Sequence, residues 1–159
     1  AAVGWPVAEG LTAWAGYAVI PSLRDDADAL AVEQRAWEQL WWVGELGPGQ
    51  AQVRLRQEQR LRPQLGAPGH RTRLLLRYAW TPPNSPWMGI AANELFYQWG
   101  DPGWIGYQGL DQSRAFVGAG LKGAAPGTRV EMGWLGLTMW REGKLDFTHN
   151  ASMNLVISR

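Results

Sequence analysis

The residues best suited to catalysis are His149 and Ser152, close to the end of the sequence. A serine hydrolase needs these side chains within hydrogen-bond reach, with a carboxylate such as Glu131 orienting the histidine. Residues three positions apart on a strand point to opposite faces of a sheet, so this spacing does not suit a hydrolase. The sequence therefore predicts a protein that is not an enzyme, with a lipid-modifying barrel hydrolase as the alternative.

Metal and phosphate chemistry have weaker support. Asp146 and His149 lack a third ligand at a useful spacing, and the chain has no Cys and only two His. The stretch Gly118-Ala119-Gly120, followed by Lys122-Gly123, is similar to a glycine-rich phosphate loop. No helix start follows it, so it lacks the aligned N–H groups that hold a phosphate. We expect no metal and no cofactor.

The clearest pattern is an alternation of polar and apolar residues from Val53 to Arg62. On a strand, this spacing makes one face wholly ionic, with Arg54, Arg56, Glu58, Arg60 and Arg62 on it. This ionic face has no interleaved aromatic residues on which bases could stack, and the net charge of the chain is only +1. A nucleic-acid partner is therefore not expected.

Turn signals recur at short intervals and divide the chain into eight segments rich in Val, Leu, Trp and Tyr. The seven breaks are Pro21 to Asp28, Gly47 to Gly49, Gly66 to Gly69, Pro82 to Pro86, Gly100 to Gly103, Ala125 to Gly127, and Arg141 to Lys144. Most segments follow a period of two, which is typical of strands. The pattern predicts an all-β, antiparallel up-and-down β-barrel of about eight strands.

We expect a single domain over residues 1–159, with residues 1–10 as an N-terminal extension. One helix is conceivable, over residues 25–40, where Ala and Glu are frequent. The continuation Trp41-Trp42-Val43 suits a strand better, so a strand is predicted there.

Strands with one apolar and one polar face fit two opposite arrangements. In a soluble or periplasmic barrel the apolar face points inward, where a Trp-lined cavity could hold an apolar ligand. In an outer-membrane barrel the apolar face contacts lipid and the ionic face fills the lumen. No apolar run approaches the ~20 residues of a membrane-spanning helix. The first ten residues lack the pattern of a secretory signal, so we expect any signal peptide to have been removed.

Three features favour the transmembrane arrangement. Eleven Trp suit interfacial girdles. Glycines at 118, 120 and 133 give room on the inner face, and the inner charges are of mixed sign. The predicted lumen charge network is Glu33, Arg35, Arg54, Arg56, Glu58, Arg60, Arg73, Arg77, Glu94, Arg114 and Glu131. The predicted interfacial aromatics are Trp14, Trp42, Trp80, Tyr97, Trp99, Trp134 and Trp140.

Four polar residues fall on the face predicted to contact lipid: Glu38, Gln57, Gln59 and Asn93. An ionised group near a bilayer midplane costs ~2 to 4 kcal/mol. A bulge that shifts the register, or a protein partner that covers this patch, would remove the conflict.

Six stretches of the sequence, in order, resemble an uncharacterised family of Gram-negative outer-membrane β-barrel proteins. They are residues 33–40, 56–60, 73–78, 93–96, 111–114 and 149–155, within a resemblance that covers residues 11–159. The resemblance implies a precursor with a signal peptide and a barrel located in the bacterial outer membrane, in contact with its lipid. The family has no assigned activity, so no functional residue is carried over. The expected role is structural or anchoring, or that of a narrow pore.

Overall fold

The computed structural model describes residues 1–24, 27–63, 65–123, 128–141 and 144–157. These residues form nine strands: β1 (Ala2–Ala8), β2 (Leu11–Arg24), β3 (Ala27–Leu46), β4 (Gly49–Leu61), β5 (Gly69–Trp80), β6 (Trp87–Trp99), β7 (Gly109–Lys122), β8 (Thr128–Arg141) and β9 (Lys144–Ile157). Within these ranges, no helix has the length and apolar character needed to cross a membrane.

The strands form one antiparallel sheet in which each strand pairs with its neighbour in sequence, from β1 to β9. The predicted all-β, up-and-down fold is confirmed, including a strand rather than a helix over most of residues 25–40. Each end strand, β1 and β9, has one neighbour among the described residues, so the sheet is open rather than closed.

The strand number differs from the prediction because the chain reverses once more than the turn signals indicate. Residues 2–8, expected to be an extension ahead of the sheet, form β1 and pair with β2 from Ala2 opposite Gly16. The turn between them is only Glu9-Gly10, and Gly10 has a φ of 69°, a conformation that glycine adopts without strain. A single glycine was too weak a signal to predict this reversal.

The other predicted breaks coincide with connections between strands, with one shift at the first of them. Pro21 and Ser22 belong to β2, which continues to Arg24, and β3 begins at Ala27. Residues 25–26 and 142–143, which belong to two of the predicted breaks, lie outside the described residues, and so does the whole of the break from Ala125 to Gly127.

The chain divides into two compact units. Unit 1 comprises Ala1–Trp42, Arg54–Leu74 and Phe96–Asp111. In this unit β2 pairs with β3, so that Trp14 lies opposite Gln39 and Gly16 opposite Trp37. A Cβ atom at Gly16 would come within 2.2 Å of the Trp37 ring, so the glycine allows the indole to lie flat over β2.

Unit 2 comprises Val43–Val53, Leu75–Leu95 and Gln112–Arg159. Met88 and Ile90 of β6 are buried and pack over Gly120 of β7, where an added Cβ would lie within 2.8 Å of Met88. Gly118 of β7 pairs with Gly133 of β8, and the two backbones approach closely at this point. Small residues thus determine how closely β6, β7 and β8 pack in this unit.

The Gly118–Gly133 pair yields a first test. We predict that Gly133→Ala lowers the stability of the fold by about 1 to 3 kcal/mol, because the added carbon would lie 2.4 Å from the Val117 carbonyl oxygen. Gly89→Ala is the control, since its added carbon meets nothing closer than 3.7 Å. Urea unfolding followed by Trp fluorescence measures both, and equal midpoints for the two variants would contradict the close approach.

Candidate functional site

In unit 1, the carboxylate of Glu33 on β3 is shared by three guanidinium groups. Arg60 binds it in a bidentate manner, with Nε 2.7 Å from Oε1 and Nη2 3.0 Å from Oε2. Arg35 donates from Nε to Oε1 at 2.5 Å, and Arg62 lies 3.2 Å from Oε2. The Glu33 side chain is only 3% exposed, so this group of ions is held largely away from solvent.

A second buried carboxylate, that of Glu58 on β4, joins two arginines of β5. Arg71 donates from Nε and Nη2 to Oε2, at 3.0 and 2.6 Å, and Arg73 donates from Nη1 to Oε1 at 2.9 Å. Both guanidinium carbons also lie over the ring of Phe96, at 5.3 and 4.7 Å from its centroid. Hydrogen bonds to a carboxylate, with an aromatic face behind the cation, are what a guanidinium needs in a buried position.

Arg56, also in unit 1, contacts two neutral groups of β3. Its Nε and Nη2 donate to Oε1 of Gln39 at 2.9 and 2.6 Å, and its guanidinium carbon lies 4.0 Å from the ring centre of Trp37. Gln39 is itself buried, so β3 supplies both an amide and an indole to this cation.

The loop between β6 and β7 covers part of the ionic face of unit 1. Oδ1 of Asp101 accepts hydrogen bonds from the backbone N–H groups of Gly103 and Gly106, which fixes the loop. Trp104 then donates from its indole nitrogen to the Ala67 carbonyl at 2.9 Å. Its ring lies under the guanidinium groups of Arg60 and Arg62, at 5.2 and 4.9 Å.

In unit 2, Glu131 on β8 plays the corresponding role. Arg77 Nη2 and Arg129 Nε both donate to its Oε1 at 2.6 Å. The carboxylate is 8% exposed, and the two arginine side chains are 12% and 27% exposed. One buried oxygen therefore fixes the direction of two cations.

The predicted lumen residues fall on the charged faces as follows. Seven of them belong to the groups built around three carboxylates: Arg35 and Arg60 bind Glu33, Arg73 binds Glu58, and Arg77 binds Glu131. We call these groups the Glu33, Glu58 and Glu131 clusters. Arg56 binds Gln39. Glu94 is buried, Arg54 is half-buried and Arg114 is exposed. The predicted lumen network does not include Arg62, Arg71 or Arg129, although Arg62 lies on the face predicted to be ionic. Arg71 could have been found, because it lies two residues before Arg73 and therefore on the same side of β5.

Five of the predicted interfacial aromatics are exposed, namely Trp42, Trp80, Tyr97, Trp99 and Trp134, and Trp140 is half-buried. Tyr97 and Trp99 pack edge to face, with ring centres 4.7 Å apart. The placement of Trp14 on the apolar face was wrong, because its register partner is the buried Gln39. The residues flanking Trp14 carry no charge, so alternation in β2 could not reveal which of its faces is ionic.

The polar residues on the apolar face have partners within the sheet. In unit 1, Gln59 donates to Glu38 at 3.0 Å, and the Thr72 hydroxyl donates to Gln57 at 2.5 Å. Thr72 in turn accepts a hydrogen bond from the Trp99 indole at 2.7 Å. In unit 2, Asn93 donates to Ser113 at 2.9 Å. Hydrogen bonds across strands thus give each of Glu38, Gln57, Gln59 and Asn93 a partner, although the buried Oε1 atom of Gln59 forms no hydrogen bond.

The residues considered for catalysis are not brought together. On β9, His149 lies opposite Gly136 and Ser152 opposite Gly133, so the two side chains are on different faces. His149 instead lies 5.9 Å from the Phe147 ring. No group of three or more His, Cys, Asp or Glu side chains within the described ranges could hold a metal ion.

These features define an all-β protein with one antiparallel up-and-down sheet, and most of the buried side chains among the described residues are polar. The model of a family described as a protein of unknown function (DUF2490) matches residues 1–148, and the chain belongs to this family. It is also 32% identical over 163 aligned positions to an uncharacterised protein of Methylorubrum extorquens, covering 98% of this chain and 69% of that protein. No solved structure matches the chain at a significant level.

The Glu58 cluster provides the second test. We predict that Glu58→Ala destabilises the fold by about 3 to 5 kcal/mol, because it leaves the cations of Arg71 and Arg73 buried without their carboxylate. Glu9→Ala removes the same charge from an exposed turn and should change stability by less than about 0.5 kcal/mol. Urea unfolding in detergent measures both variants, and an unchanged midpoint for Glu58→Ala would mean that solvent, not Glu58, balances these arginines.

Proposed function

We propose that the open nine-stranded sheet forms the wall of a bacterial outer-membrane β-barrel, whose apolar face contacts lipid and whose ionic face lines the interior. The observation that carries the proposal is that polar side chains, rather than apolar ones, are buried in the described part of the chain. Among the described residues, nine polar or charged side chains are buried against three apolar ones, Met88, Ile90 and Phe96. A protein folded in water has the opposite composition inside.

The exposed side supports the same arrangement. In the described part of the chain, twenty-eight large apolar side chains are exposed, and they include Val117 at 60% and Leu76 at 51%. Surfaces of this kind mark contact with a membrane or with another protein. Alternation of apolar outward and polar inward residues along each strand is the pattern of strands that cross an outer membrane.

The interior is tolerated because its charges are paired. Each of Glu33, Glu58 and Glu131 binds at least two arginines at distances of 2.5 to 3.3 Å. In a barrel of about eight strands, side chains of this size fill the interior. We therefore propose a structural or anchoring role, or at most a narrow pore that favours anions, since arginine outnumbers glutamate on this face.

The alternative, a soluble or periplasmic barrel with an apolar ligand in a Trp-lined cavity, needs apolar side chains on the inner face. The side chains that contact Trp37 and Trp104 are instead half-buried arginines, and their partners are polar. The hydrogen bonds of Glu38, Gln57 and Asn93 within the sheet further reduce the cost of placing the other face in lipid.

Quenching of Trp fluorescence by brominated lipids tests the proposal. In vesicles, we predict that Trp99→Phe reduces the fraction of emission that these lipids quench, because Trp99 is 53% exposed on the apolar face. Trp37→Phe is the control, since its ring lies on the ionic face beneath Arg56 and should not be reached from lipid.

The protein should also require detergent to remain folded and monodisperse after refolding. A monodisperse, folded protein in plain buffer, or equal loss of quenchable emission in the two Trp variants, would contradict the membrane location.

A further inference from the structure

A cleft of about 450 Å³ opens in unit 2, at the end of the sheet where β3, β5 and β7 finish and β4, β6 and β8 begin. Arg77, Lys122 and Arg129 are the cations that line it, and Glu45 is the carboxylate in its wall. Its volume lies within the range of about 300 to 1,000 Å³ that is usual for small-molecule sites. The cleft is thus large enough for a ligand, and its lining carries a surplus of positive charge.

Two of the three cations are held in fixed directions. Glu131 does not line the cleft, but its Oε1 accepts one hydrogen bond from Arg77 and one from Arg129. A guanidinium has five N–H donors, so each arginine keeps further donors for a ligand. This arrangement resembles a clamp, in which one carboxylate behind the site orients two cations that face it.

Lys122 supplies the third cation from the end of β7. Its backbone N–H donates to the Pro86 carbonyl at 2.9 Å, which fixes the position of the residue. Its side chain is exposed and forms no ion pair with the other described residues. The ammonium group is therefore able to bind a ligand without first losing a protein partner.

The rim of the cleft is tied together by hydrogen bonds within unit 2. The Tyr78 hydroxyl donates to the Leu46 carbonyl at 2.9 Å, and the Thr81 backbone N–H donates to the Pro48 carbonyl at 3.4 Å. These bonds join the β3–β4 turn to the end of β5. A site that is formed before its ligand arrives loses less entropy on binding.

We propose that this cleft binds the oxyanion group of a small solute, a phosphate or a carboxylate. Arg77 and Arg129 would hold the oxygens through parallel N–H groups, and Lys122 would add a point charge at the entrance. Glu45 on the wall offsets part of the positive charge, and Gln50, Gln52 and Thr81 offer neutral hydrogen-bonding groups for the rest of the solute. The chemistry of the cleft is the same whether or not the sheet lies in a membrane.

Isothermal titration calorimetry with inorganic pyrophosphate tests the inference, using the whole chain folded in a zwitterionic detergent at low salt. We expect one site per chain, and Lys122→Gln should weaken its affinity about tenfold by removing one charge-assisted contact. Lys144→Gln removes the same charge from an exposed residue outside the cleft and should leave the affinity unchanged. Arg129→Gln should weaken binding further. Lys122→Gln is the variant less prone to disturb the fold, because the Lys122 side chain is exposed.

A second titration separates the two sources of an oxyanion. Micelles that contain an anionic phospholipid are compared with micelles of the zwitterionic detergent alone. If the anionic phospholipid competes with pyrophosphate, and this competition is lost in Lys122→Gln, the occupant is a lipid headgroup. If pyrophosphate binds equally well in both kinds of micelle, the occupant is a free solute. The inference is wrong if neither anion binds, or if Lys122→Gln and Lys144→Gln weaken binding equally.

Discussion

Buried carboxylates shared by arginines are the interaction on which the rest of this structure depends. A charged group removed from water is tolerated only when partners of opposite charge and hydrogen bonds replace the water. Glu33 and Glu58 meet this requirement, because each accepts hydrogen bonds from guanidinium groups on its own or neighbouring strands. These contacts join β3, β4 and β5 through side chains as well as through the backbone, and they require that the ionic side of each strand face the same way.

The alternation that places the ions together also places the apolar side chains on the other face. Leu55 lies between Arg54 and Arg56, and Leu61 lies between Arg60 and Arg62, so neither can join the ionic cluster. Both leucines are exposed, at 46% and 38%. The pairing of the charges therefore separates ionic and apolar side chains onto opposite faces, and this separation does not depend on any single apolar residue. Small residues such as Gly16 and Gly133 complete the arrangement by leaving room for a ring or a neighbouring backbone.

The orientation of a strand could be predicted from the sequence wherever charged residues recur at every second position of that strand. The regular spacing of Arg56, Glu58 and Arg60 identified the ionic side of β4, and the turn signals placed most of the strand ends. β2 carries no charge between Leu11 and Ile20, so the side on which Trp14 lies depends on its pairing with β3, which alternation cannot reveal. The turn at Glu9-Gly10 and the position of Trp104 beneath two arginines depend on backbone conformation and long-range packing. The cleft beside Lys122 is assembled from six strands, and no local pattern in the sequence indicates it.

The orientation of the two faces can be measured most directly by electron paramagnetic resonance of single nitroxide labels in lipid vesicles. The chain has no cysteine, so each introduced cysteine gives one labelled position. Labels at Leu76→Cys and Val117→Cys should collide with oxygen dissolved in the lipid and be shielded from a water-soluble nickel complex. Labels at Gln52→Cys and Ala79→Cys, which line the cleft, should show the reverse preference. If the nickel complex reaches positions 76 and 117 more readily than 52 and 79, the apolar face does not contact lipid and the account is wrong.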